Sequence, residues 1–165
     1  MTIQLRPSLQ NPFGLVWSGD SALARPILTG VDEAAEKEAL ATWENRMRVA
    51  RETGNYGDVC YPEAKPTIFR MAPLGRTAND ALMDAIGQRR IGRNAVATLA
   101  FRLCLRGVEG IATGGEGFKV EFEIDPITGM RALKADLADD LDVAAPGVCH
   151  ELGAYMLDRA MTPGK

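Results

Sequence analysis

Between Arg93 and Arg106 the chain is apolar almost all the way round a helix. Ala95-Val96-Ala97, Leu99-Ala100-Phe101 and Leu103-Cys104-Leu105 are interrupted by Asn94, Thr98, Arg102 and Arg106, each four residues from the next. Residues four apart share one helix face, so the spacing predicts a helix over 93–106 with one narrow polar stripe and burial on its other sides. Such a helix needs neighbours around most of its circumference, and it is the expected centre of the fold. The 165 residues suffice for one domain with a real core, and at 46% apolar but only 6% aromatic that core is expected to be mostly Leu, Ile, Val, Ala and Met.

The other elements follow from local signals. Over 31–53, Leu40, Trp43, Met47 and Ala50 recur at helical spacing. Asp32, Glu33 and Glu36 stand early, and Arg46, Arg48 and Arg51 late, as a helix dipole prefers. Thr29 and Asp32 resemble a capping arrangement, and Gly54 is placed to end the helix. Residues 54–66 read as loop, 67–71 as a strand, and 77–87 as a helix burying Ala78, Ala81, Leu82, Ala85 and Ile86. A glycine-rich connection over 108–117 precedes strict alternation from Phe118 to Asp125, which marks a half-buried strand. Asp125-Pro126-Ile127-Thr128-Gly129 is turn chemistry, so a β-hairpin is expected near 118–135. Residues 136–145 read as a solvated acidic face. A closing helix after Pro146 presents Val148, Leu152, Tyr155 and Met156. Residues 1–30 are rich in Pro, Gly and Ser and read as an N-terminal arm. The expectation is an arm over 1–30 and a single α+β domain over 31–165, with three to four helices and a small antiparallel sheet. Phe13 and Trp17, on the arm, need burial either in this domain's own core or against a neighbouring subunit.

Charge divides the chain into three blocks. Residues 1–64 carry six bases and nine acids, 65–107 eight bases and two acids, and 108–165 five bases and eleven acids, for net charges of −3, +6 and −6. Such segregation points to binding rather than to a reaction centre. Arg89, Arg90 and Arg93 are the densest cluster, and with Arg102 and Arg106 they are the expected partner-binding face. Arginine favours bidentate contact with carboxylates and phosphates. The face has three readings: an intramolecular match to the acidic third block, an acidic protein surface, or nucleic acid. A pI near 5.3 and the lack of aromatic residues among the arginines weigh against nucleic acid.

No catalytic or metal signature accompanies the charge. Cys60, Cys104, Cys149 and His150 make a zinc-ligand count, but the cysteines lie 44 and 45 residues apart, whereas structural zinc sites draw on close pairs. Cys149 and His150 are adjacent, so on a helix they point about 100° apart and form no dyad. Gly110–Gly117 lacks the Gly-Lys-Ser/Thr ending of a phosphate loop. Asp136, Asp139, Asp140 and Asp142 lack the Gly and Glu of a calcium loop. No run approaches the roughly 18 apolar residues that span a bilayer, and the first residues show no secretion signal. The unpaired cysteine count fits a reducing compartment. The reading is a non-enzyme without cofactor or metal. Its alternatives are a small nucleic-acid-binding regulator using the same arginines, and an enzyme of unrecognised type.

The order of elements is also familiar. A long charged helix precedes Pro66-Thr67-Ile68-Phe69-Arg70-Met71-Ala72-Pro73-Leu74. A short helix and the apolar helix ending Leu103-Cys104-Leu105-Arg106-Gly107-Val108-Glu109-Gly110 follow. Then come an acidic segment, the helix His150-Glu151-Leu152-Gly153-Ala154-Tyr155-Met156 and a Thr-Pro tail. Over residues 30–163 this resembles the small tail-assembly or minor virion proteins of tailed bacteriophages. The resemblance implies a morphogenesis protein, either a chaperone-like tail assembly factor or a virion component, whose expected partners are other tail or virion proteins, with a homo-oligomer as a further option. It implies no membrane and places the chain in the infected host's cytoplasm or in the virion.

Overall fold

The expected central helix is the centre. In the computed structural model, which describes residues 13–110, 112–113 and 116–161, five helices are present among those residues: α1 (Glu33–Thr53), α2 (Arg76–Gly87), α3 (Arg93–Cys104), α4 (Ala135–Ala144) and α5 (Val148–Met161). Three small antiparallel sheets accompany them. One has the order β1-β2-β3, from Phe13–Leu15, Ile68–Met71 and Leu105–Glu109. The others pair β4 (Ala112–Thr113) with β5 (Glu116–Gly117), and β6 (Phe122–Ile124) with β7 (Arg131–Leu133). The chain is therefore α+β, with the expected hairpin in place. No helix among the described residues is long and apolar enough to cross a membrane.

Six of the twelve residues of α3 are buried: Ala97, Leu99, Ala100, Phe101, Leu103 and Cys104. Its main neighbour is α5, and the two helices meet backbone to backbone at Gly153. A Cβ placed on Gly153 would sit 2.6 Å from the carbonyl carbon of Ala97 and 3.1 Å from the amide nitrogen of Phe101. Only glycine fits there. Around this crossing Phe101, Cys104, Leu133, Leu141, Val148, Leu152 and Met156 form the main core with Leu15, Phe69 and Met71 from the sheet.

α3 stops two residues earlier than its pattern predicts. Leu105 turns to extended backbone (φ −65°, ψ 130°) and opens β3, which pairs with β2 through Phe69 opposite Val108 and Met71 opposite Leu105. The amide of Ala72 donates to the Cys104 carbonyl at 2.8 Å, so the sheet takes up a helix-terminal acceptor that water would otherwise satisfy. Sheet pairing overrides helical periodicity here, and it moves Arg106 from the polar stripe onto a strand.

Of the expected arm, residues 1–12 lie outside the described residues, while 13–24 are built into the domain. β1 pairs with β2, placing Phe13 opposite Met71 and Leu15 opposite Phe69, and Leu15 and Val16 are fully buried. Tyr56 locks this segment: its hydroxyl donates to the Gly14 carbonyl at 3.0 Å and accepts from the Val16 amide at 3.2 Å. Val16, Leu23, Met47, Ala50, Tyr56 and Val59 then form a second core cluster that seats the C-terminal half of α1. Glu151 ties the two clusters. It accepts from the Ser18 amide at 2.9 Å, from the Ser18 hydroxyl, and from Arg51 of α1 at 2.6 Å.

The hairpin departs from strict alternation at its tip. Ile124 points outward, 67% exposed, and Asp125 points in, 1% exposed. Asp125 accepts from both the amide and the hydroxyl of Thr128 at 2.8 Å, which closes the turn, and its other oxygen faces Arg102 at 3.7 Å. The acidic segment 136–145 is not simply a solvated face. It forms α4, which buries Ala138 and Leu141 and leaves Asp136, Asp139, Asp140 and Asp142 exposed.

Because the α3–α5 crossing admits no Cβ, Gly153→Ala is expected to lower unfolding free energy by about 3 kcal/mol, at the upper end of overpacking costs. Ala154→Gly, one residue away, should cost about 1 kcal/mol as an ordinary helix substitution. Chemical denaturation of both checks this, and equal costs would contradict the close crossing.

Candidate functional site: a basic corner between two helices

The turn joining α2 to α3 brings three arginines to one corner. α2 ends at Gly87, and the amides of Arg89 and Arg90 donate back to Ile86 (3.0 Å) and Ala85 (2.9 Å). Arg89 takes a left-handed conformation with φ of 55°, which costs a residue with a Cβ about 1 kcal/mol. α3 then begins at Arg93 after Gly92, which offers no side-chain cap, and its first turn carries no acid. Cations just past the end of α2 suit that helix's dipole. Arg93, as the first residue of α3, opposes its own helix's dipole and adds to a positive end.

All three side chains are exposed. Arg90 donates to the Pro126 carbonyl at 3.3 Å, and neither Arg89 nor Arg93 makes an ion pair with any described residue. Beside them lies a hollow of about 410 Å³, lined by Ile91, Ala95, Leu99 and Ile127 with Arg90 at its edge and the Arg102–Asp125 pair within it. An apolar floor next to unpaired guanidinium groups suits a carboxylate-bearing surface with an apolar tip.

The other residues expected on this face are elsewhere. Arg102 is internal, with 13% of its side chain exposed. It donates to the Leu133 carbonyl and to Glu123, both at 2.8 Å, and faces Asp125, so it clamps the hairpin onto α3. For Arg102 the intramolecular match to the acidic third block is the one observed. Arg106, on β3, donates to the carbonyls of Leu103 (2.8 Å) and Leu105 (3.1 Å) and serves the helix-to-strand junction. Arg70 pairs with Glu109 at 2.9 Å across the sheet. Phe13 and Trp17 are half-buried against this domain's main core, and Arg159 lies over the Phe13 ring at 4.6 Å. The domain's own core takes both aromatics, and they do not extend the basic corner.

No cysteine lines the hollow at the corner. Cys104 and Cys149 are buried free thiols, and burial pushes both up to about 12. Cys60 is half-buried, and burial together with nearby Asp20 raises it as well. His150 is exposed. Among the described residues no group of three or more His, Cys, Asp and Glu side chains is arranged to hold a metal ion.

A surface that sequence reasoning passed over is the strap before α1. Ile27, Leu28 and Val31 are 81%, 52% and 89% exposed. The signal was three aliphatic residues confined to a breaker-rich stretch between Pro26 and Asp32. No family model matches the chain, and neither a curated protein nor a solved structure matches it.

The buried thiols and Tyr56, whose hydroxyl burial also pushes up to about 12, set an alkaline limit. In the unfolded chain these groups ionise from their ordinary values of 9.0 for cysteine and 10.0 for tyrosine. Their folded values are raised, so the stability they contribute is complete below pH 9.0 and falls as pH rises toward about 12. Unfolding free energy measured by denaturant is therefore expected to fall steadily as pH is raised above 9.0, and a flat profile would contradict the burial of these groups.

Proposed function

We propose that this chain is a non-enzymatic assembly protein that works by protein–protein binding, in the manner of the tail-assembly or minor virion proteins of tailed bacteriophages that its order of elements resembles. Arg89, Arg90 and Arg93 are its capture surface for an acidic protein. The observation that carries this reading is the division of the arginines. Those that match the acidic third block within the molecule, Arg70 and Arg102, are consumed by it. The three at the α2–α3 corner stay exposed, and one of them occupies a conformation that glycine would fill at lower cost. A charged patch of this kind speeds encounter and sets orientation between subunits more than it adds affinity.

The same corner would serve a nucleic-acid-binding regulator, and the capture experiment separates the two. Tagged chain drawn from a phage-infected lysate at low and high salt is expected to bring down virion or tail proteins, with recovery falling as salt rises. Arg89→Glu/Arg90→Glu/Arg93→Glu is expected to abolish capture. The decisive variant is Arg89→Gly. It relieves the positive φ and should raise unfolding free energy by about 0.5–1 kcal/mol, yet weaken capture. A gain in stability with capture unchanged would remove Arg89 from the surface. Salt-sensitive recovery of nucleic acid without protein would replace this reading with the regulator.

A further inference from the structure

The half of α1 from Glu33 to Thr42 stands clear of the domain body. Of its ten residues only Glu36 and Leu40 are even half covered. Beside it runs the strap Pro26–Gly30, held by Glu36, which accepts from the Thr29 amide (2.6 Å), the Thr29 hydroxyl (2.7 Å) and the Gly30 amide (3.0 Å). The Thr29 and Gly30 hydrogen bonds hold the Glu36 carboxyl below its usual range. This strap is ordered, yet it turns aliphatic side chains to solvent. Ile27, Leu28 and Val31 are three of the nine large apolar side chains exposed among the described residues, and they fall within five positions. Exposed aliphatic side chains concentrated in one short segment mark an interaction surface. The start of α1 beside it is acidic, with Asp32, Glu33 and Glu38 exposed against Lys37, and exposed Arg25 and Arg46 flank this stretch, Arg46 lining the same groove as Pro26 and Glu38.

The basic corner has the opposite build. Its hollow is lined by the apolar Ile91, Ala95, Leu99 and Ile127 together with Arg90, Thr98 and the Arg102–Asp125 pair, and Arg89 and Arg93 lie close to it in the chain without lining it. Ile27, Leu28 and Val31 on the ledge and Arg89, Arg90 and Arg93 at the corner are all exposed. The ledge precedes the helix seated on the Met47 and Tyr56 cluster, and the corner flanks the separate cluster of Ala78, Leu82 and Leu99.

We propose that these surfaces are the two halves of one contact between copies of this chain. The aliphatic ledge of one copy enters the hollow at the basic corner of the next, and Glu33 and Glu38 face Arg89 and Arg93. The contact is heterologous, so a pair of copies keeps one free ledge and one free corner, and repetition gives a ring or an open filament. This inference rests on the reading of the corner as a site for an acidic protein, and it names a second copy as that protein.

Sedimentation velocity on the purified chain tests it with two variants altered only at exposed positions: Ile27→Ser/Val31→Ser at the ledge and Arg89→Glu/Arg93→Glu at the corner. Circular dichroism first confirms that both are folded. The unaltered chain is expected to grow in size with concentration at low salt. High salt should weaken association by about tenfold, the equivalent of two or three exposed ion pairs. Each variant alone should be monomeric. Mixed together they should form a one-to-one dimer that grows no further, because one intact ledge and one intact corner remain. A corner variant that still dimerises alone, or two variants that stay monomeric when mixed, would overturn the inference. A monomeric unaltered chain would overturn it as well. In that case the lysate capture decides separately: loss of capture on reversing the three arginines keeps the corner as a site for another protein, and unchanged capture removes both readings.

Discussion

Gly153 lets α5 lie against α3 with no side chain between them, and the other placements depend on that contact. A methyl group there would collide with the Ala97 carbonyl and force the helices apart by the width of a side chain. The layer formed by Phe101, Cys104, Leu152 and Met156 would then open. With the pair closed, α3 has one flank for the β2–β3 sheet, one for the hairpin and one for α2. The corner carrying Arg89, Arg90 and Arg93 thus adjoins the most buried of the described helices, with Arg93 as that helix's first residue.

Two physical regimes divide the arginines of the middle block. Arg102 is desolvated, and the hairpin supplies the acceptors it requires: a backbone carbonyl, Glu123 and Asp125. Removing any one would leave a buried charge short of a partner, a larger penalty than the pair's net contribution to stability. The corner arginines remain hydrated and owe the fold little. Arg89 even holds a conformation that works against it. Charge whose position is costly or neutral for folding is what a binding surface presents.

Much of this was legible in the chain. Periodicity placed α1, α2, α3 and α5, and the turn residues placed the hairpin, because those signals are local. What was lost was non-local. Leu105 and Arg106 continue a helical pattern but are drawn into β3 by pairing with β2. The breaker-rich start reads as an arm because nothing local shows that Phe69 and Met71 lie opposite Leu15 and Phe13. α4 is rich in aspartate, a poor helix former, and it is held by Ala138 and Leu141 against the core. At the site, Arg89, Arg90 and Arg93 are close in sequence and lie at the junction of α2 and α3. Arg102 was grouped with them because spacing alone does not reveal that Asp125 turns inward. Gly153 gave no signal, since a lone glycine inside a helical pattern acquires meaning only from the helix across from it.

The division between an internal Arg102 and a free corner is measured most directly by hydrogen exchange of the arginine side-chain Nε protons by NMR. The account predicts a slowly exchanging Nε proton for Arg102, bonded to the Leu133 carbonyl at 2.8 Å, and rapid exchange for Arg89 and Arg93 in the dilute chain. Exchange at Arg102 as fast as at Arg89 would contradict it, because the hairpin clamp and the free corner would then be one exposed face.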